Sequence, residues 1–157
     1  MATTAAAVLG ICLMLAGPQG GQPSQPGQVF VPGDRFTLAW THSIELERWE
    51  EDYVVEPGKL AGTASLHATA ARIRGSGAGM EPPAGAQLID GWYQYTPAEA
   101  TPAVLRLSRS AFVPDYERCD ARHGCFPLSH WLPSDGGVTE IRACTAPEQT
   151  GPVQAKP

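Results

Sequence analysis

The sequence predicts an all-β fold, a small antiparallel β-sandwich or open barrel with one short helical turn near residues 127–133. Two observations predict it. The 157 residues include 17 Gly and 15 Pro, and so many turn-forming residues favour short strands over long helices. About six short segments also alternate apolar and polar residues or are rich in β-branched and aromatic residues.

These segments can be assigned in chain order. We predict strands over FTLAWTHS (36–43), YVV (53–55), AVLRLSRSAFV (103–113) and VTEIRAC (138–144). LHATAARIR (66–74) is a weaker candidate, because its alanines also suit a helix. AQLIDGWYQY (86–95) contains Asp90-Gly91 between two apolar runs, which predicts a type I′ hairpin. PLSHWLP (127–133) lies between prolines and predicts the helical turn.

Composition limits the classes of partner. Hydrophobic residues make up 43% of the chain, enough for one packed domain. The net charge is −5, so the chain has no basic surface for nucleic acid and no polybasic patch for anionic lipid. No histidine or cysteine spacing is typical of a metal site, and nothing indicates a cofactor.

The apolar run within residues 1–17 is too short to span a bilayer and resembles the hydrophobic part of an export signal. The alternative is an N-terminal helix packed on the domain. We therefore expect a periplasmic or other extracytoplasmic protein, either cleaved or retained at the inner membrane by an uncleaved N-terminal segment. A Gly/Pro/Gln linker (18–28), one β domain (29–144) and a disordered tail (145–157) follow.

The cysteines agree with export. The stretch CDARHGC closes a small loop, which suits a disulfide between Cys119 and Cys125. Cys12 lies in the signal-like segment. Cys144 is then either a free thiol or the partner of one of the other two, and the sequence does not decide between these pairings. A zinc site that includes His123 is a weaker alternative.

One histidine lies among residues that otherwise read as the apolar face of a strand. If a four-residue turn covers 45–48, Ile44 opposes Trp49 and His42 opposes Glu51 on the apolar face. Two polar side chains in an apolar row can satisfy each other, which lowers the cost of burying them. Such a pair either holds the hairpin together or contributes to a ligand site.

A glycine-rich segment, RGSGAGMEPP (74–83), is the second candidate. Its alternating glycines allow close approach of the backbone, so N–H groups near Ser76, Gly77 and Gly79 could receive a carboxylate. An inward-facing Arg72 would add a positive charge. We therefore predict a small-anion site from His42, Glu51, Arg72 and this loop, with a plain crossover between sheets as the alternative.

The stretches that carry these features resemble the domain-of-unknown-function 1850 family over about residues 35–133. The motifs T-H-S (41–43) and S-G-A-G-M-E-P-P (76–83) carry the resemblance. It marks a set of positions: Thr41, His42, Ser43, Glu50, Glu51, Arg72, Ser76, Gly77, Ala78 and Gly79. Where relatives often have Glu, this chain has Ala70, so any ligand contact from that position is absent.

The resemblance implies a small exported protein associated with a TAXI-type TRAP transporter, which takes up organic solutes, often carboxylates. Expected partners are then the transporter's membrane subunit, its solute receptor, or a small carboxylate. One alternative is a structural or assembly subunit that binds no ligand. A small hydrolase is less favoured, because the chain has no G-x-S-x-G elbow and no identified catalytic residue.

Overall fold

The structure, a computed structural model, describes residues 6–16, 27–75 and 82–147. These residues form eleven β-strands and one short 3-10 helix, which confirms the predicted all-β class. The strands are β1 (Ala7–Leu15), β2 (Val29–Pro32), β3 (Arg35–Thr41), β4 (Arg48–Pro57), β5 (Ala64–Arg74), β6 (Gln87–Ile89), β7 (Trp92–Tyr95), β8 (Leu105–Ser108), β9 (Glu117–Asp120), β10 (Gly124–Pro127) and β11 (Val138–Pro147). The 3-10 helix spans Leu128–His130, where the helical turn was predicted.

The strands form two antiparallel sheets that do not close into a barrel. The small sheet has the order β2-β1-β11-β8, and the large sheet has the order β10-β9-β3-β4-β5-β7-β6. Apolar side chains from both sheets and from the 3-10 helix meet in one core. Its buried members are Ile11, Leu13, Val31, Phe36, Leu38, Tyr53, Val55, Leu66, Ala68, Leu107, Leu128 and Ile141. The predicted sandwich architecture is therefore confirmed.

The N-terminal apolar run forms strand β1 of the small sheet rather than a segment separate from the domain. β1 pairs with β11 on one side and β2 on the other, and Ile11 and Leu13 are almost completely buried. Cys12 forms a disulfide with Cys144, a pairing that was not among the predicted ones. The alternative of a packed N-terminal helix is wrong, because the run is extended; a short apolar run does not by itself distinguish a helix from a buried strand. Export through this segment stays a prediction, with cleavage and retention as its two alternatives.

The weaker strand candidate, LHATAARIR, belongs to strand β5 of the large sheet. Leu66 and Ala68 are buried, but the next buried residues are Ala71 and Ile73. The register between β4 and β5 shifts at Asp52/Tyr53, a bulge that changes which residues face the core. The segment is a strand paired on both sides, so its alanines lie in a strand and not in a helix.

The hairpin turns follow local chemistry. Asp90 and Gly91 both have positive φ, 51° and 81°, as the predicted type I′ turn between β6 and β7 requires. CDARHGC is itself a hairpin, with Cys119 directly opposite Cys125 in β9 and β10. These two strands were not predicted, but the Cys119–Cys125 disulfide was, and it is confirmed. Because both sulfur atoms are in the disulfide, neither is a thiolate that could ligate zinc beside His123.

Only the middle of the predicted strand 103–113 is extended, as β8. Arg109 follows β8; its guanidinium is buried and donates to both carboxylate oxygens of Asp115, at 2.7 Å each. No helix among residues 6–16, 27–75 and 82–147 is long and apolar enough to cross a membrane. The predicted linker lies mostly outside the described residues, as does the tail beyond Pro147.

Candidate functional site

The predicted His42–Glu51 pair does not form. In the structure Trp40 opposes Trp49 and Leu38 opposes Glu51, so the pairing is shifted by four residues from the prediction. His42 lies four residues beyond Leu38, about 13 Å along the strand direction. The turn is longer than predicted and covers residues 42–47. A shift by an even number of residues leaves every side chain on its predicted face, and the observed bond between Thr37 and Asp52 agrees with the predicted polar face.

His42 instead organises the β3–β4 turn. Its ring stacks on Trp49 with centroids 4.2 Å apart. Its Nδ1 lies 3.4 Å from the backbone N–H groups of Ile44 and Glu45, which donate to it. The His42 N–H donates to the Glu47 carbonyl at 2.9 Å. The imidazole therefore satisfies backbone donors of a tight turn, a structural role.

Arg72 lies on the outer face of the large sheet. Its Nε donates to Glu50 at 2.6 Å, and its two terminal nitrogens donate to Asp52 at 2.7 and 3.1 Å. Arg48 continues the network, at 2.6 Å from both Glu50 and Glu117. Burial raises the pKa of Asp52, but the hydrogen bonds from Arg72 and Thr37 outweigh it and hold that pKa below its ordinary value.

This network has two guanidinium groups and three carboxylates, so its positive charges are already balanced. The groove beside it, about 500 Å³ in volume, is open on the outer face and includes Asp52 and Asp120 in its lining. Ser76, Gly77 and Gly79 lie outside the described residues. The anion site predicted from Arg72 and this loop stays a prediction.

A different cavity, of about 320 Å³, lies between β3 and β4 of the large sheet and β8 of the small sheet. We call it the inter-sheet cleft. Its lining combines apolar, aromatic and charged side chains: Leu38, Trp40, Glu51, Tyr53, Glu99, Pro102, Val104, Leu105, Arg106, Leu107 and Tyr116. Alternation in β4 places Glu51 on the same face as the buried Tyr53, whose hydroxyl donates to the Glu51 carboxylate.

The electrostatic effect of Glu51 extends over this cleft and the adjoining β7. Burial raises the pKa of Tyr53, and the hydrogen bond and negative charge of Glu51 raise it further, with a smaller effect from Glu99. Burial followed by the charge of Glu51 also raises the pKa of Tyr95 and Tyr116. A phenol loses its proton less readily where the potential is negative.

Comparison of the sequence with protein families finds that the profile described as "Domain of unknown function (DUF1850)" matches residues 36–128, more than half of the chain. The chain belongs to the DUF1850 family. The match runs from β3 to β10 and contains every residue that lines the inter-sheet cleft. No curated protein and no solved structure matches significantly.

Within this DUF1850 protein, sequence reasoning identified one residue of the cleft, Glu51, from the alternation of β4. It missed Trp40 as a lining residue, because that side chain was assigned to the core. Glu99 and Tyr116 lie outside the predicted strands and reach the cleft only through long-range packing. A single sequence offers no local pattern that indicates their approach.

Proposed function

We propose that this DUF1850 protein is an extracytoplasmic accessory protein that binds a small solute in the inter-sheet cleft. The observation that carries the proposal is the carboxylate of Glu51, half-buried on an apolar face and facing a cavity of about 320 Å³. Ligand sites are mostly apolar cavities of about 300 Å³ or more with a few polar groups that fix orientation. The compartment follows from the Cys12–Cys144 and Cys119–Cys125 disulfides, which indicate an oxidising environment.

The position of Glu51 supports a binding role over a packing role. A half-buried charge is costly unless it is paired. Among the described residues Glu51 accepts one hydrogen bond, from the Tyr53 hydroxyl, which leaves acceptor capacity on the carboxylate. A side chain that served only the core would be replaced by an apolar one at little cost. The remaining acceptor capacity of the Glu51 carboxylate is therefore available to a solute.

A thermal-shift panel tests solute binding. The panel contains small organic acids, amines and neutral polyols at matched ionic strength, and binding of a ligand raises the melting temperature by mass action. Glu51→Gln should abolish the shift that the binding class produces. Glu56→Gln, on the same strand but exposed and outside the cleft, is the matched control and should retain it. A panel without any response overturns the proposal.

We further propose that the protein works beside a TRAP-type transporter, as the family resemblance implies. The test is co-purification from membranes with the transporter's membrane subunit or its solute receptor, using a tag at Pro157. The solute proposal and this partnership are separable, since Glu51→Gln should remove binding of the solute and leave recovery of the partner unchanged. Recovery of the tagged protein alone contradicts the partnership.

A second candidate function, assembly without a solute, is favoured by the edge of the large sheet. β6 is an edge strand whose Leu88 and Ile89 are 62% and 43% exposed. Exposed apolar edge strands are templates for pairing with another chain. If Leu88→Lys abolishes co-purification while no solute binds, the assembly function replaces the solute-binding function.

A further inference from the structure

The inter-sheet cleft is negatively charged. Glu51 and Glu99 both line it, and within the described ranges no Lys, Arg or His is paired with either carboxylate. The one cation in the lining, Arg106, has 59% of its side chain exposed and lies 2.9 Å from Glu140 of β11. Glu140 also contacts Arg142, at 3.1 Å. The two carboxylates of the lining, Glu51 and Glu99, therefore outnumber its one guanidinium group.

Three aromatic side chains also line the cleft. Trp40 and Tyr116 pack with ring centroids 5.8 Å apart, and Tyr53 lies on the neighbouring strand. Aromatic rings attract cations through the negative potential of their faces, most strongly for Trp and at distances up to about 6 Å. Carboxylates together with several aromatic rings are the lining that suits an organic ammonium group.

We propose that the solute of the inter-sheet cleft is a small organic cation, an amine or a quaternary ammonium ion. This inference rests on the proposed function and specifies its substrate class. The ammonium group lies between the Glu51 carboxylate and the rings of Trp40 and Tyr116, and Glu99 closes the mouth with a second negative charge. Leu105 and Leu107 of β8 contact the apolar part of the solute.

The same geometry opposes a carboxylate ligand. An anion in this cleft would approach Glu51 and Glu99, and like charges at close range cost free energy. One guanidinium group, that of the largely exposed Arg106, does not offset two carboxylates. The transporter association implied by the family resemblance suggests carboxylates, so the two expectations differ for this chain. A direct comparison of the two ligand classes separates them.

The experiment is isothermal titration calorimetry of the full chain in sodium phosphate, which contains no organic cation. The probes are choline and tetramethylammonium, the uncharged choline isostere dimethylbutanol, and the sodium salts of acetate and succinate. We expect both cations to bind, the isostere to bind at least about tenfold more weakly, and the carboxylates not to bind.

Two variants locate the binding. Glu51→Gln should weaken choline at least about tenfold, whereas Glu56→Gln should leave it unchanged. If Glu51→Gln does not fold, Glu99→Gln on an exposed loop tests the same charge effect, with an expected loss of severalfold. Binding of choline that neither cleft variant changes contradicts the inference.

The outcomes separate the inference from the function on which it rests. If carboxylates bind in the cleft and cations do not, the organic-cation assignment is overturned and solute binding stands. If choline and dimethylbutanol bind equally, the negative charge has no role and the assignment also fails. If no probe binds, the cation assignment fails here, while the broader thermal-shift panel decides solute binding.

Discussion

The two disulfides of this DUF1850 protein close loops of very different length, and this difference predicts their contributions to stability. Cys12–Cys144 joins residues 132 apart, whereas Cys119–Cys125 joins residues 6 apart. The chain-entropy relation gives about 5 kcal/mol for the long loop and about 2 kcal/mol for the short loop. Replacing Cys12 and Cys144 by Ala should therefore lower the free energy of unfolding by about 3 kcal/mol more than replacing Cys119 and Cys125.

The assay is urea unfolding of the three oxidised proteins, followed by tryptophan fluorescence and analysed by linear extrapolation. The intact mass first confirms that residues 1–16 are attached, because a processed chain lacks Cys12. Addition of a reductant is the control: it should bring the wild type and both double variants close together, which isolates the cross-link from the substitution. If the short-loop variant loses as much stability as the long-loop variant, the reasoning from β1 and its disulfide fails.

Three further predictions concern single residues. Asp115→Asn leaves the buried guanidinium of Arg109 without its counter-charge, so urea unfolding should show a loss of about 3–5 kcal/mol, against almost none for the exposed Asp34→Asn. Burial raises the pKa of Asp115, but hydrogen bonds from Arg109 and the Ser129 N–H outweigh it, so the folded pKa lies below the ordinary 3.8. The stabilisation by Asp115 is therefore full above about pH 5 and is lost as the pH falls through the folded pKa. In Asp115→Asn, the free energy of unfolding should fall less steeply with decreasing pH over this range. Gly91→Ala, at φ 81°, should cost about 1 kcal/mol, whereas Gly27→Ala should cost much less; equal losses contradict the turn assignment.

The sequence was sufficient to predict faces but not register. Alternation in β3 and β4 correctly placed Thr37 and Asp52 on one face and Glu51 on the other. The partner of Glu51 depended on the length of the turn, and nothing local indicated that residues 42–47 all belong to it. Because an even shift preserves each face, the apolar pattern was equally consistent with the wrong pairing, and His42 was placed opposite Glu51 in error.

The same limit applies to the termini and loops. Residues 7–15 were predicted to be a signal-like segment or a packed helix. Their strand conformation depends on pairing with β11, at the far end of the sequence, which no local pattern indicates. The type I′ turn at Asp90-Gly91 was predictable because its chemistry is local. Glu99 and Tyr116 reach the inter-sheet cleft through contacts between distant segments, so the cleft itself could not be predicted.

The most direct test of a solute site at Glu51 is the chemical shift of the indole N–H resonances during titration with choline. The chain has four tryptophans, at positions 40, 49, 92 and 131, and of these only Trp40 lines the inter-sheet cleft. We predict a saturable shift of the Trp40 resonance that Glu51→Gln removes, with Trp92 and Trp131 unchanged. The account would be contradicted if the Trp40 resonance did not move, or if the Trp92 or Trp131 resonance moved more than that of Trp40.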